Sequence, residues 1–272
     1  MFSVVIPVYN HARFVRQAIS SALRSPLVKE ILVVDDGSSD GSDKIAAGLA
    51  AAHPGRVRDL TPRSSGNLGA HHRLNELVEA AGCEWIAVLN SDDAFVSGRF
   101  EAIVQSPGFA ASDFAFGNIL LMDQRGALLG AKRGPLDCWT PFRPSLELLT
   151  MIKDQQFVEL LSQENYLITT SNMVFRKTLH AGVGGFRPYR YVHDWDFALR
   201  AMLHGRPIYV PRFITAYRIH TGNTILESEG KPIAEIRSML NRFQTEFGRG
   251  PTYARSSRYS ASPASENPPA GT

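Results

Sequence analysis

Over its first 120 residues the chain alternates short apolar runs with amphipathic stretches, which confines it to a parallel sheet covered by helices. The apolar runs at residues 3–8, 30–34, 56–60, 84–89 and 114–122 predict strands. Between the first two, Phe14, Val15, Ala18, Ile19, Ala22 and Leu23 recur at i, i+3, i+4 spacing, the pattern of a helix that buries one face. Ser39 or Asp40 is placed to cap a second helix running through Leu49, and a third should follow Gly69 and end near Gly82. Residues 126–144 are rich in Gly and Pro and read as loop. Helices are then expected over 145–161 and 195–205, strands over 172–175 and 208–219, and a late helix with Ile233, Ile236, Leu240, Phe243 and Phe247 on one face. Beyond Gly248 the chain turns to Ser, Pro, Ala and Arg; residues 249–272 cannot build a core and are expected to be disordered.

A length of 272 residues suits one large α/β domain. No stretch reaches the roughly 18 to 20 apolar residues of a membrane span, and the opening MFSVVIPVYN has neither a basic n-region nor a small-residue cleavage site. Two cysteines, Cys83 and Cys138, supply no framework of bridges and no metal-ligand spacing, so a reducing, cytoplasmic setting is the expectation. Charge is uneven: residues 1–175 hold 15 Lys/Arg against 19 Asp/Glu, and residues 176–272 hold 14 against 7. A basic back half suits a nucleotide diphosphate or peripheral contact with an anionic membrane, or is simply a solvated face. Its cations are spread without a recognition motif, which argues against nucleic acid.

Four successive predicted strands end in distinctive polar or loop segments: Pro7-Val8-Tyr9-Asn10, Asp35-Asp36-Gly37-Ser38, residues 63–69, and Asn90-Ser91-Asp92-Asp93. In an open parallel sheet these ends share one edge, where ligands bind. Neither G-x-G-x-x-G after the first strand nor G-x-x-x-x-G-K-[ST] occurs. Carboxylates beside a diphosphate need a cation between them, or else address the base and ribose; Mg²⁺ or Mn²⁺ takes one or two carboxylates and completes its shell with phosphates and water. Asp92 and Asp93 are the natural suppliers, with N-capping of a helix over 95–104 as the competing role. Downstream, Gly184-Gly185-Phe186 precedes His193-Asp194-Trp195-Asp196-Phe197. There Asp194 is placed to take a proton, and Asp196 to begin and cap the following helix. Tyr217-Arg218-Ile219-His220 ends a further strand-like run.

Taken in order, VVIPVYN, ILVVDDGSSDGS, NLGAHHRLN, WIAVLNSDD, GGFRPY with HDWDFALR, and YRIH resemble the family 2 glycosyltransferases of the GT-A fold over about residues 2–247. The resemblance implies a nucleotide-sugar-binding half over 1–125, continuous with an acceptor-binding and catalytic half over 126–248. It implies that Pro7, Tyr9 and Asp36 contact the base, Asp36 reading an imide N–H of uracil or thymine. Asn67, Gly69 and Arg73 would pass over ribose and diphosphate, and Asn90-Ser91-Asp92 stands at the DxD position. Asp92 and His220 would hold a divalent metal, Mn²⁺ or Mg²⁺, and Asp194 would be the catalytic base. His193 and Trp195 would face the acceptor, with core packing as the alternative for Trp195.

The implied reaction is inverting transfer of a sugar from a nucleotide-diphosphate donor, a UDP- or dTDP-sugar favoured, to a hydroxyl of a glycan, lipid-linked or small-molecule acceptor. Two residues depart from the pattern: Asn90 replaces the first DxD aspartate, and His193 stands where the family often has Glu. Asn90 removes one negative charge, which lowers metal affinity or dispenses with the metal. A non-catalytic sugar-nucleotide or glycan-binding relative is the alternative reading. A nucleotidyltransferase would need a Gly-rich, Arg/Lys-bearing loop, which is missing after Val8. Residues 126–170, where specificity would lie, carry no readable code.

Overall fold

The computed structural model describes residues 1–62, 66–137, 156–223 and 230–248. Parts of three expectations lie outside that range: residues 63–65 of the third polar segment, the start of the helix over 145–161, and the tail 249–272. Cys138 lies outside it too. In chain order the elements are β1 (Phe2–Val8), α1 (Val15–Leu23), β2 (Val28–Asp35), α2 (Ser42–Ala52), β3 (Val57–Asp59), α3 (Ala70–Ala80), β4 (Trp85–Val88) and β5 (Ala94–Phe95). There follow α4 (Arg99–Val104), β6 (Phe114–Met122), β7 (Leu128–Lys132), α5 (Phe157–Gln163), β8 (Val174–Arg176), α6 (Lys177–Gly182), α7 (His193–His204), β9 (Pro207–Arg218) and α8 (Lys231–Phe247).

Among the described residues, nine strands join one sheet of order β3-β2-β1-β4-β8-β6-β9-β5, with β7 paired to β6. β3, β2, β1 and β4 run parallel, as do β6 and β9, while β8 lies antiparallel between β4 and β6. The early strands read as continuous apolar runs because both faces are covered. Val4 and Ile6 belong to the core layer that includes residues of α1 and α2, whereas Val5 belongs to the layer that includes Leu74 and Leu77 of α3 and Phe197 of α7. Each such side chain contributes about 1.5–3 kcal/mol on full burial.

Three expectations change. Residues 126–144 are not all loop, since β7 forms a hairpin with β6 and a 3-10 turn follows at Gly134–Asp137. The hairpin forms because Asp123 accepts from the N–H groups of Arg125 and Ala127, and Gly126 turns at φ 88°. The helix over 95–104 shortens to α4, preceded by β5 and by Gly98 at φ 77°. Asp92 and Asp93 therefore cap nothing. Finally, α7 begins at His193, so Asp194 and Asp196 lie inside its first turn. Asp196 is an ion-pair partner of Arg200 and Arg187 instead of a cap.

Candidate functional site

The parallel ladders align the polar segments at one edge. Val8 is opposite Asp35, and Val5 is opposite Val88, so the residues following β1, β2 and β4 emerge side by side. Beyond β1 the chain reverses at Asn10, a non-glycine residue at φ 54°. The turn is held from outside: the Asn10 side chain accepts from Ser39 N–H, Ser42 Oγ accepts from His11 N–H, and Asp40 accepts from Ala12 N–H. Asp40 also takes the N–H of Ser42, the capping contact expected of it, although Gly41 occupies the N-cap position of α2.

Asp36 organises the next segment. Its Oδ1 accepts from Leu68 N–H at 2.9 Å and Arg73 Nε at 2.7 Å, and its Oδ2 from Gly69 N–H at 2.8 Å. Arg73 is buried and its guanidinium spent on Asp36, Glu76 and the Gly66 carbonyl. Asn67 and Tyr9 are exposed on the same edge, and Pro7 is half-buried in β1. Gly69 sits at φ 90°, and a Cβ there would meet the His71 ring at 3.1 Å. Burial first, then the charges of His193 and His72, hold His71 below the usual histidine value against an opposing pull from Asp36.

The adjacent carboxylates after β4 do different work. Asp92 Oδ2 lies 3.0 Å from His220 Nε2 and 3.9 Å from His11 Nε2, while His11 Nδ1 lies 2.8 Å from Ser91 Oγ. The three ligand atoms of His11, Asp92 and His220 fall within 4.8 Å of one another. Asp93 is fully buried and accepts from Thr169 Oγ1, Ser171 Oγ and Arg218 N–H. Burial and the neighbouring Asp92 push Asp93 up to about 8. Burial also opposes ionisation of Asp92, but the hydrogen bond with His220 and the charges of His11 and His220 outweigh it and hold its carboxyl below the ordinary value.

His220 arrives through β9. Ala94 and Phe95 of β5 pair antiparallel with Ala216 and Thr215, and extending that register places Asp92 beside Arg218, whose Nε donates to the Asp92 carbonyl. His220 follows two residues later, packed on Phe14 at a ring separation of 5.0 Å. Its Nδ1 accepts from Gly222 N–H at 3.2 Å, leaving the Nε2 proton facing Asp92. Asn90 is engaged elsewhere: its amide donates to Thr169 Oγ1 and accepts from Thr170 Oγ1.

Asp194 is buried at the start of α7 and accepts from Trp195 N–H at 2.7 Å. Burial raises its pKa, partly offset by the His193 charge and that N–H. The Tyr217 phenol on β9 is raised by burial and then by the charges of Asp93, Asp92 and Asp194. His193 Nδ1 is buried without a hydrogen-bond partner among the described residues. Trp195 is placed in the core at 3% exposure, its indole N–H donating to the Leu161 carbonyl.

His11, His71 and the hydroxyls of Thr169–Ser171 were not singled out by sequence reasoning. For His11 the available signal was its place directly after the Tyr9-Asn10 strand end. The Thr169-Thr170-Ser171 run before a buried strand was a weaker one.

The model of glycosyl transferase family 2 matches residues 3–191. This chain belongs to that family. As a family 2 glycosyltransferase it is 30% identical over 251 residues to the uncharacterized protein MT1568 of Mycobacterium tuberculosis, covering 89% of this chain and 73% of that protein. It is 29% identical over 150 residues to the succinoglycan biosynthesis protein ExoU of Rhizobium meliloti, covering 55% of this chain and 42% of the relative. Among solved structures, Staphylococcus aureus TarS residues 1–349 in complex with UDP-GlcNAc superposes with TM-score 0.61 at 16% identity, over 92% of this chain and 73% of that one. The mannosyltransferase PcManGT of Pyrobaculum calidifontis, in complex with GDP-Man and Mn²⁺, gives 0.54 at 16%, over 92% and 65%. The fold is accordingly GT-A. No helix among the described residues is long and apolar enough to cross a membrane.

Proposed function

We propose that this glycosyltransferase moves a sugar from a nucleotide-diphosphate donor, a UDP- or dTDP-sugar favoured, to an acceptor hydroxyl with inversion, assisted by Mn²⁺ or Mg²⁺ held by Asp92 and His220. The observation that carries the reading is the 3.0 Å approach of Asp92 to His220 at the strand edge. The donor set suits such an ion, since a carboxylate oxygen and an imidazole nitrogen already stand about as far apart as neighbouring ligands of an octahedral cation with bonds of roughly 2.1 Å. His220 would hold the ion through Nε2, with its proton on Nδ1 in place of the long Gly222 bond. When bound, the ion supplies neutralisation of the departing diphosphate.

The remaining chemistry belongs to the chain's own groups. Asp194 accepts the acceptor hydroxyl's proton as that oxygen forms the new bond to the anomeric carbon and the bond to the diphosphate breaks. Asp36 keeps one acceptor position on Oδ2 for a base N–H, because an ionised carboxylate offers about four lone-pair sites and three are filled. Tyr9 and Pro7 would flank that base, and Asn67, Gly69, Asn90 and Ser91 would line the path of the ribose and diphosphate. The half over 1–125 would bind donor and the half over 126–248 acceptor, with His193 facing the latter.

Three similarities support these choices: UDP-GlcNAc in the TarS complex, Mn²⁺ with GDP-Man in PcManGT, and succinoglycan synthesis in the name of ExoU. The last favours a cell-surface glycan or its lipid-linked precursor as acceptor, made on the cytoplasmic side. There the basic excess of residues 176–272 would favour an anionic membrane, which flotation with anionic vesicles in low and high salt tests.

The deciding experiment is calorimetry of UDP-, dTDP- and GDP-sugars with and without Mn²⁺, on wild type and Asp92→Ala. Binding of one nucleotide that requires both Mn²⁺ and Asp92 is expected. No binding under any condition would overturn the reading, and donor binding without transfer to any glycan acceptor would favour the non-catalytic relative.

A further inference from the structure

We infer that His11 is a third protein ligand of the divalent ion, completing with Asp92 and His220 a set of two imidazoles and one carboxylate that makes good the carboxylate missing at position 90. The inference rests on the cation reading of the site given above. The carboxamide of Asn90 binds Thr169 and Thr170 through both ends, so the DxD segment brings a single carboxylate, that of Asp92, to this cluster. His11 fills the gap from the opposite side, its Nε2 at 3.9 Å from Asp92 Oδ2 and its ring nearly perpendicular to that of His220 at 5.7 Å.

Two features make His11 a prepared ligand and not a passing side chain. Its Nδ1 meets Ser91 Oγ at 2.8 Å, the orienting hydrogen bond that fixes a metal-binding imidazole with its other nitrogen free. Its backbone is pinned by Ser42 and flanked by the Asn10–Ser39 and Ala12–Asp40 bonds, so the ring is carried on a turn that cannot swing away without breaking several contacts. With two neutral nitrogens and one carboxylate, the bound ion keeps about one unit of positive charge for the diphosphate. Such a set also favours Mn²⁺, Co²⁺ or Zn²⁺ over Mg²⁺, which prefers oxygen.

The test is Mn²⁺ binding to the full chain without nucleotide, followed by electron paramagnetic resonance, with the coordinated ¹⁴N nuclei counted by electron spin-echo modulation. Wild type should show two imidazole nitrogens. His11→Gln should show one and bind at least about tenfold more weakly. His11→Asp, which restores a carboxylate, should recover affinity while still showing one nitrogen, so that a folding defect in the Gln variant does not decide the matter. A His11→Gln protein with wild-type affinity and both nitrogens would overturn the inference; if Asp92→Ala still abolished binding, the cation reading itself would stand. Failure of wild type to bind Mn²⁺ with or without UDP would overturn both.

Discussion

Asn75 holds Phe186 by both of its backbone polar groups, donating to the carbonyl at 2.9 Å and accepting from the N–H at 2.8 Å. The same Asn75 oxygen lies 2.9 Å from His180 Nε2, and Gly185 stands so close that a Cβ would meet that oxygen at 2.6 Å. One side chain on α3, the helix that also carries Arg73, thus sets the path of the chain into α7 and its Asp194. Asn75→Ala should cost about 1–3 kcal/mol of stability in urea titrations by leaving Phe186 unpaired. It should lower kcat more than it weakens donor binding; equal losses would mean that the link does not position the base.

Glu235 of α8 makes a similar clamp just ahead of α7. Its carboxylate accepts from the N–H groups of Arg190, Tyr191 and Val192 at 3.1, 2.6 and 3.0 Å. These are the last residues before His193 and Asp194, and a carboxylate there complements the helix N-terminus. Glu235→Gln turns an amide donor toward N–H groups. Steady-state kinetics should show a lower kcat with nucleotide affinity by calorimetry unchanged.

In the proposed role of base, Asp194 must be ionised to accept a proton, and burial raises its pKa. Activity should therefore rise with pH through a limb above the roughly 3.9 of an ordinary aspartate. His193 lowers the Asp194 value by its charge, so His193→Gln should move that limb to higher pH. Asp194→Asn should abolish transfer while leaving donor binding intact. A kcat/KM profile fixes both points.

His180 is held down to about 4, chiefly by burial and then by Arg200 and Lys177. The folded state keeps it neutral while the unfolded chain protonates near the ordinary histidine value of 6.5. Its contribution is complete above that value and is lost as pH falls from there toward 4, at most about 3 kcal/mol. Urea midpoints from pH 7 to 4 should fall more steeply for wild type than for His180→Gln.

The parallel half was legible because β1, β2 and β4 are buried on both faces and leave unbroken apolar runs. β7 was not, since Leu128 and Leu129 are 67% and 59% exposed on an edge strand and give no alternation to read. Adjacent carboxylates such as Asp92 and Asp93 look alike in a sequence. Only the long-range pairing of β9 turns one toward His220 and buries the other against Thr169 and Ser171. Trp195 was ambiguous for a related reason: an aromatic beside a base suits a sugar wall and a core equally until the helix phase is known.

The pairing of β5 with β9 has a consequence for synthesis. Asp92 and His220 are 128 positions apart, and the ladder that joins them closes only when β9 has emerged. During translation the N-terminal strands and helices can collapse early, since a chain grows at about 5–20 residues per second. Asp92 and His220 then wait several seconds for one another. A nascent or truncated chain lacking β9 would carry the ends of β1, β2 and β4 without His220, so on the proposed function the capacity to discharge a donor is acquired late, after the first four strands of the sheet are in place.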